Sequence, residues 1–178
     1  PWISFKVDLR QAPFQLWLML GEARSKCEHI AGVPLRPGTA ESLHRLYLAK
    51  GVRATTAIEG NTLSEQDVSE IVLGTSKLPP SKEYLVKEVQ NILTVCNEVL
   101  ADLSKGKELE LSPGRIKELN RRVLEGLAVE NWVVPGEIPA RSVGVGRYKG
   151  APRQDCEYLL AELCQWLSDH SFADEEHL

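Results

Sequence analysis

The sequence predicts an all-α, multi-helix bundle that carries one small β-hairpin. Three observations lead there. From Ser81 onward, Leu85, Val86, Val89, Ile92, Leu93, Cys96, Val99, Leu100 and Leu103 recur at three- and four-residue steps, the pattern of a long amphipathic helix. Two helix starts are marked by capping residues, Ser64-x-x-Asp67 and Ser112-Pro113. Between Gly136 and Pro152, by contrast, glycines at 144, 146 and 150 interrupt Val143, Val145 and Tyr148, which disfavours a helix and favours a hairpin.

In chain order, Pro1 to Arg10 holds an alternating Trp2-Ile3-Ser4-Phe5-Lys6-Val7 segment, expected as an extended lead-in with buried aromatics. Residues 11 to 31 carry Phe14, Trp17, Leu18, Leu20, Cys27 and Ile30, a first helix in which Pro13 fits only the first turn. Gly32 and Pro34 end it, and Pro37-Gly38 is expected as a loop. Thr39 then caps a second helix whose apolar stripe is Leu43, Leu46, Tyr47, Ala54 and Ile58. Gly60-Asn61 closes this helix with two residues that tolerate the left-handed backbone.

Ser64-x-x-Asp67 opens a short helix through Val68, Ile71, Val72 and Leu73 that Gly74 terminates, and Thr75 to Pro80 is a polar loop. The long helix from Ser81 follows. Burying each of its large apolar side chains is worth roughly 1.5–3 kcal/mol, so it is expected to form the central wall of the core. Ser112-Pro113 starts a helix that turns Ile116, Leu119, Val123 and Leu124 inward. Gly126 to Pro135 is irregular with Trp132 packed beneath it, and Asp155 to Ser168 is a helix presenting Leu159, Leu160, Leu163, Cys164 and Leu167, with Trp166 beside them. The chain is thus expected to comprise residues 1–38, an N-terminal extension with the first helix, and residues 39–178, one compact unit.

At 178 residues the chain can bury one sizeable core. Its formal charge of −4, without a clustered basic stripe, argues against non-specific nucleic-acid binding. No apolar run reaches the length of a membrane span and no signal peptide is visible, so a cytoplasmic protein is expected. Cys27, Cys96, Cys156 and Cys164 form no C-x-x-C pair and no zinc-finger spacing, and are expected as buried free thiols. Cys27-Glu28-His29 is no metal site, because adjacent helical positions point apart; no histidine is assigned to catalysis. A dinucleotide fingerprint at Gly144-Val145-Gly146 lacks the strand-before and helix-after context that it needs.

The stretch that carries most chemistry is Thr55-Thr56-Ala57-Ile58-Glu59-Gly60-Asn61. Glu59 falls in the last turn of its helix, where unpaired carbonyls make an acid unfavourable by roughly 0.3–1 kcal/mol unless something compensates. Thr55, one turn earlier on the same face, is placed to orient that carboxylate. Read blandly, this is a helix that happens to end in glutamate before a glycine cap.

Thr55-x-x-x-Glu59-Gly60 resembles the inhibitory-helix motif of Fic-family proteins, (Ser/Thr)-x-x-x-Glu-(Gly/Asn), and Ala57 to Leu63 matches the wording around it. Far downstream, Pro135-Gly136-Glu137 followed by Val143 to Pro152 resembles the target-docking flap of the same family, with Val143, Gly144, Val145, Gly146, Arg147 and Tyr148 at its centre. Related sequences place an arginine near Pro139, where this chain has Ile138-Pro139-Ala140-Arg141. The family's catalytic segment, H-P-F-x-(D/E)-G-N-G-R-x-x-R, does not occur, and the chain's ends look like those of a piece of a longer protein.

What the resemblance implies is the N-terminal, autoinhibitory part of a protein adenylyltransferase. ATP and Mg would bind at the absent loop, AMP would pass to a Ser, Thr or Tyr hydroxyl of a target protein docked by strand addition to the flap, and no catalytic residue would lie in this chain. By match to the motif, Glu59 would be the inhibitory glutamate that pairs with the final arginine of the loop, with Thr55, Gly60 and Asn61 shaping the helix end. A homodimer is compatible with the likeness, and no membrane or nucleic-acid partner is implied for this segment. Two other readings stand beside it: a helical regulatory or interaction module without chemistry of its own, and a family member that removes AMP.

Overall fold

The computed structural model describes Phe5 and residues 9–169. Apart from Phe5, Leu9 and Arg10, the expected extended lead-in lies outside the described residues, as do His170 and His177. The chain divides into two compact units, Pro1–His44 and Arg45–Leu178.

In the first unit a single 3-10 turn, Leu9–Gln11, precedes α1 (Phe14–Ala31). Pro13 sits just outside the helix in an extended conformation, and its carbonyl accepts from the Leu16 N–H at 2.8 Å. None of the α1 side chains is buried, and Phe14 and Met19 are 74% and 67% exposed. Cys27 is therefore an exposed thiol, contrary to expectation. Ion pairs at i,i+4, Arg24 with Glu28 and Lys26 with Glu22, line the helix.

α2 spans Pro37–Ile58, so Pro37 and Gly38 form its first turn instead of a loop. Proline's fixed φ suits the first helical position. The Arg36 carbonyl accepts from both Thr39 and Ala40, which places Thr39 inside the helix and not at its cap.

The second unit is built on a core of Ala49, Val52, Leu63, Val68, Ile71, Val89 and Leu93. The inward face of α2 is Ala49, Val52 and Thr56. The expected stripe is rotated away: Leu46, Tyr47, Ala54 and Ile58 are exposed, Ile58 by 83%, as is Leu43 in the first unit. Small residues can make a packing face as well as bulky ones. Thr56 is accommodated because its hydroxyl donates to the Val52 carbonyl at 3.1 Å and so needs no water.

α3 (Glu65–Val72) begins with the expected capping box: the Asp67 N–H donates to Ser64 Oγ at 3.1 Å, and the Ser64 N–H donates back to Asp67 Oδ2 at 2.9 Å. The Ser64 N–H first, and then the Ser64 hydroxyl, which donates to Asp67 Oδ2 at 2.8 Å, hold the Asp67 pKa below its ordinary value. Gly74, at φ +70°, lets the Thr75 N–H return to the Glu70 carbonyl.

A 3-10 turn, Pro80–Lys82, leads into α4 (Glu83–Ser104), the predicted core wall. Val89 and Leu93 are buried, while Leu100 and Leu103 are 42% and 46% exposed, so the last turns of α4 run past the core. Cys96 is half-buried and desolvation raises its pKa.

α3 packs on α4, α4 on α5 (Pro113–Val123), and α5 on α6 (Arg153–Ser168). α5 begins as expected, with Ser112 Oγ accepting from the Arg115 N–H, and buries no side chain fully. Its C-terminal end is held from α4. Asn91, buried in the helix interface, donates through Nδ2 to the carbonyls of Val123 and Glu125 at 2.9 and 2.8 Å, closing groups that a helix end leaves unpaired. Nearby, the Arg122 guanidinium grips both oxygens of Glu98, and this hydrogen bond leads the lowering of the Glu98 pKa. On α6, Cys164 is buried and Cys156 half-buried; Leu167 is exposed.

Between α5 and α6 the chain forms β1 (Gly144–Val145) and β2 (Tyr148–Lys149), an antiparallel hairpin with Gly144 opposite Lys149 and Val145 opposite Tyr148. Every buried side-chain nitrogen and oxygen among the described residues has a hydrogen-bond partner.

Candidate functional site

The two sequence motifs occupy two places in the second unit, the end of α2 and the hairpin. At the first, α2 stops at Ile58, and Glu59 and Gly60 form the turn beyond it. The Asn61 N–H reaches back to the Thr56 carbonyl at 3.0 Å, a six-to-one bond made possible by Gly60 at φ +91°. Gly60 alone takes the left-handed backbone; Asn61 does not.

Asn61 serves a different purpose. It is buried, accepts from the Leu63 N–H at 3.0 Å, and donates through Nδ2 to the Leu85 carbonyl at 3.0 Å and Glu88 Oε2 at 2.7 Å. One side chain thus satisfies its own loop and ties it to the first turns of α4. The sequence held a partial signal for this, since Asn bonded to the backbone two residues on is the Asx-turn pattern. The partners on α4, 24 and 27 residues away, left none.

Glu59 is exposed, and its carboxylate makes no hydrogen bond or ion pair among the described residues. Thr55 does not orient it. The Thr55 hydroxyl donates to the Gly51 carbonyl one turn back, at 3.0 Å, which corrects the expected contact. What fixes the location of Glu59 is the backbone on either side, through buried Thr56 and buried Asn61. An acid therefore stands, uncompensated, against the negative end of a helix.

At the second place, Gly146 and Arg147 form a two-residue loop, with Gly146 at φ +58° as a type II′ turn requires at its first central position. Gly144 and Gly150 are needed for a different reason. A Cβ on Gly144 would lie 2.9 Å from the Tyr148 carbonyl oxygen, and one on Gly150 would lie 2.7 Å from that of Val143. The Gly150 N–H donates to the Val143 carbonyl at 2.9 Å and extends the pairing.

Three contacts hold the stem. The Gly136 N–H donates to Asn120 Oδ1 on α5 at 2.9 Å; Arg141 stacks on the Trp132 ring at 4.0 Å and lies 3.7 Å from Glu130; and the Arg153 N–H on α6 donates to Ser142 Oγ at 3.1 Å. Trp132 is thus half-buried as expected, with a cation over it, and Arg141 serves the stem. A cleft of about 440 Å³ opens at the foot of the hairpin, lined by Lys117, Gly136, Glu137, Ile138, Arg153, Gln154 and Glu157.

Among the described residues no three His, Cys, Asp or Glu side chains gather as a metal site, and no helix is long and apolar enough to cross a membrane.

No family model and no curated protein matches the sequence. Among solved structures, the chain is similar to the crystal structure of a Fic family protein from Desulfovibrio desulfuricans G20, with a TM-score of 0.68 at 22% identity over 93% of this chain. The fold is Fic-like. The chain spans 47% of the length of that protein.

Proposed function

We propose that this chain is the N-terminal, autoinhibitory part of a Fic-type protein adenylyltransferase, with Glu59 as the inhibitory glutamate and the hairpin as the docking strand for a target protein. The observation that carries the reading is the unpaired, exposed carboxylate of Glu59, on a turn at a helix C-terminus whose backbone is fixed on both sides, within a Fic-like fold. Such an acid invites a cation, and a bidentate pair with an arginine would offset the unfavourable helix-end field. In the proposed enzyme that arginine closes the catalytic loop, and the pair excludes ATP from its productive pose.

In this reading ATP and Mg would be held at the catalytic loop, and no chemical step is assigned to the described residues. Their part is to place Glu59 and to present the hairpin edge. Strand addition there would use backbone hydrogen bonds for affinity and flanking side chains for specificity.

The test is transfer of labelled AMP from ATP by the full-length gene product. Glu59→Gly is expected to raise self-labelling at least about tenfold, the effect of removing roughly 1.4 kcal/mol of inhibition. Equal labelling of parent and variant would remove the inhibitory role. A helical module without catalysis would show no labelling in either protein, and release of AMP from a labelled substrate would mark an enzyme working in the opposite direction.

A further inference from the structure

The chain carries a formal charge of −4, yet residues 138–154 contain Arg141, Arg147, Lys149 and Arg153 and no acid. Arg141 is engaged by Glu130 and Trp132. Glu137 and Asp155 border this window, and Glu157, just beyond it, pairs with Lys117 at 2.5 Å. Arg147, Lys149 and Arg153 are exposed and make no ion pair among the described residues. The basic side chains of the hairpin itself, Arg147 and Lys149, are therefore open to a partner.

The register says where that charge would act. Antiparallel pairs alternate between bonded and non-bonded, and the Gly150 N–H bonded to the Val143 carbonyl marks 143 with 150 as a bonded pair. Gly144 and Lys149 are then the non-bonded pair, so the N–H and C=O of Gly144 face away from β2, toward a β1 edge that no other strand covers among the described residues. A strand added there lies about 4.8 Å beyond β1. The residue it sets opposite Gly144 falls on the same face as Lys149, because directly opposed residues share a face. Gly144 has no side chain, so nothing on β1 at that position stands between the Lys149 stem and the incoming residue.

We infer that the segment accepted by this edge is an acidic extended polypeptide, with a carboxylate opposite Gly144 that Lys149 reaches across the glycine, and with Arg147 on its flank. This deepens the docking role proposed above and rests on it.

The test uses the full chain and two labelled probes, the peptides Thr-Glu-Thr-Glu-Thr-Glu-Thr and Thr-Gln-Thr-Gln-Thr-Gln-Thr, with binding read by fluorescence anisotropy and by the amide resonances of Gly144 and Lys149. Both peptides are expected to shift the Gly144 amide. The glutamate peptide is expected to bind about three- to tenfold tighter at low salt. That preference should fall toward unity in Lys149→Gln and at high salt.

Equal affinity for the two peptides overturns the inference and leaves strand addition standing. So does a preference that survives in both Lys149→Gln and Arg147→Gln. A thymidine oligonucleotide that shifts the same amides more strongly than the glutamate peptide also overturns it. If neither peptide moves the Gly144 amide, the docking reading itself fails, and this inference fails with it.

Discussion

The end of α2 and the hairpin are fixed by opposite means. At the helix end, one buried amide side chain makes three hydrogen bonds, and the backbone around Glu59 has no cheap alternative to the arrangement seen. At the hairpin, the hold is divided among exposed contacts, namely one stacked guanidinium, two hydrogen bonds from backbone amides to side chains, and glycines that let two strands approach. Buried polar bonds are costly to break because the orphaned group cannot turn to water, whereas exposed ones are replaced by solvent at little cost. The first region suits a part that must hold a carboxylate in one position. The second suits a strand that adjusts to an incoming partner.

The sharpest way to break the contrast is Asn61→Ala. It strips the buried Leu63 N–H of its acceptor and cuts the tie to Leu85 and Glu88 on α4, and a loss of about 2–3 kcal/mol is expected, read as a lower denaturant midpoint at unchanged m-value. Gly150→Ala should do the reverse. Its Cβ would meet the Val143 carbonyl oxygen at 2.7 Å, so the hairpin opens and its amides exchange faster, while global stability changes by no more than about 1 kcal/mol because the segment lies outside the core.

The smallest effect is expected from acid. Asp67 and Glu98 have depressed pKa values in the folded chain, through the Ser64 cap and the Arg122 grip respectively. Each therefore stabilises the fold above its unfolded pKa, and that contribution fades as pH falls through the lowered folded value. A midpoint that drops below the ordinary carboxylate range, and less steeply in Asp67→Asn, is expected from circular dichroism; a flat profile would show that these exposed contacts add nothing.

Most of the helical frame was legible because it obeys local rules. The capping box at Ser64, the Ser112-Pro113 start and the period of α4 each depend on residues within a few positions. α2 was legible as a helix but not as to its inward face. Bulk pointed to Leu46, Tyr47 and Ile58, and the core instead takes Ala49, Val52 and Thr56, a choice set by the surface that those residues meet. At the candidate site, the Gly60 cap and the hairpin followed from glycine placement, but the role of Asn61 rests on α4, which is distant in sequence. The assumed contact between Thr55 and Glu59 failed because a threonine in a helix has a nearer acceptor, the carbonyl four residues back.

Three asparagines give these regions a common frame. Asn61 fastens the α2 exit to α4, Asn91 fastens α4 to the last residue of α5 and the turn after it, and Asn120 fastens α5 to the foot of the hairpin at Gly136. Apolar surfaces have no preferred registration and can slip past one another by fractions of an ångström; a carboxamide bonded at both ends cannot follow without letting go. The foot of the hairpin and the turn that holds Glu59 are thus joined through a series of directional links, buried at Asn61 and Asn91 and exposed at Asn120.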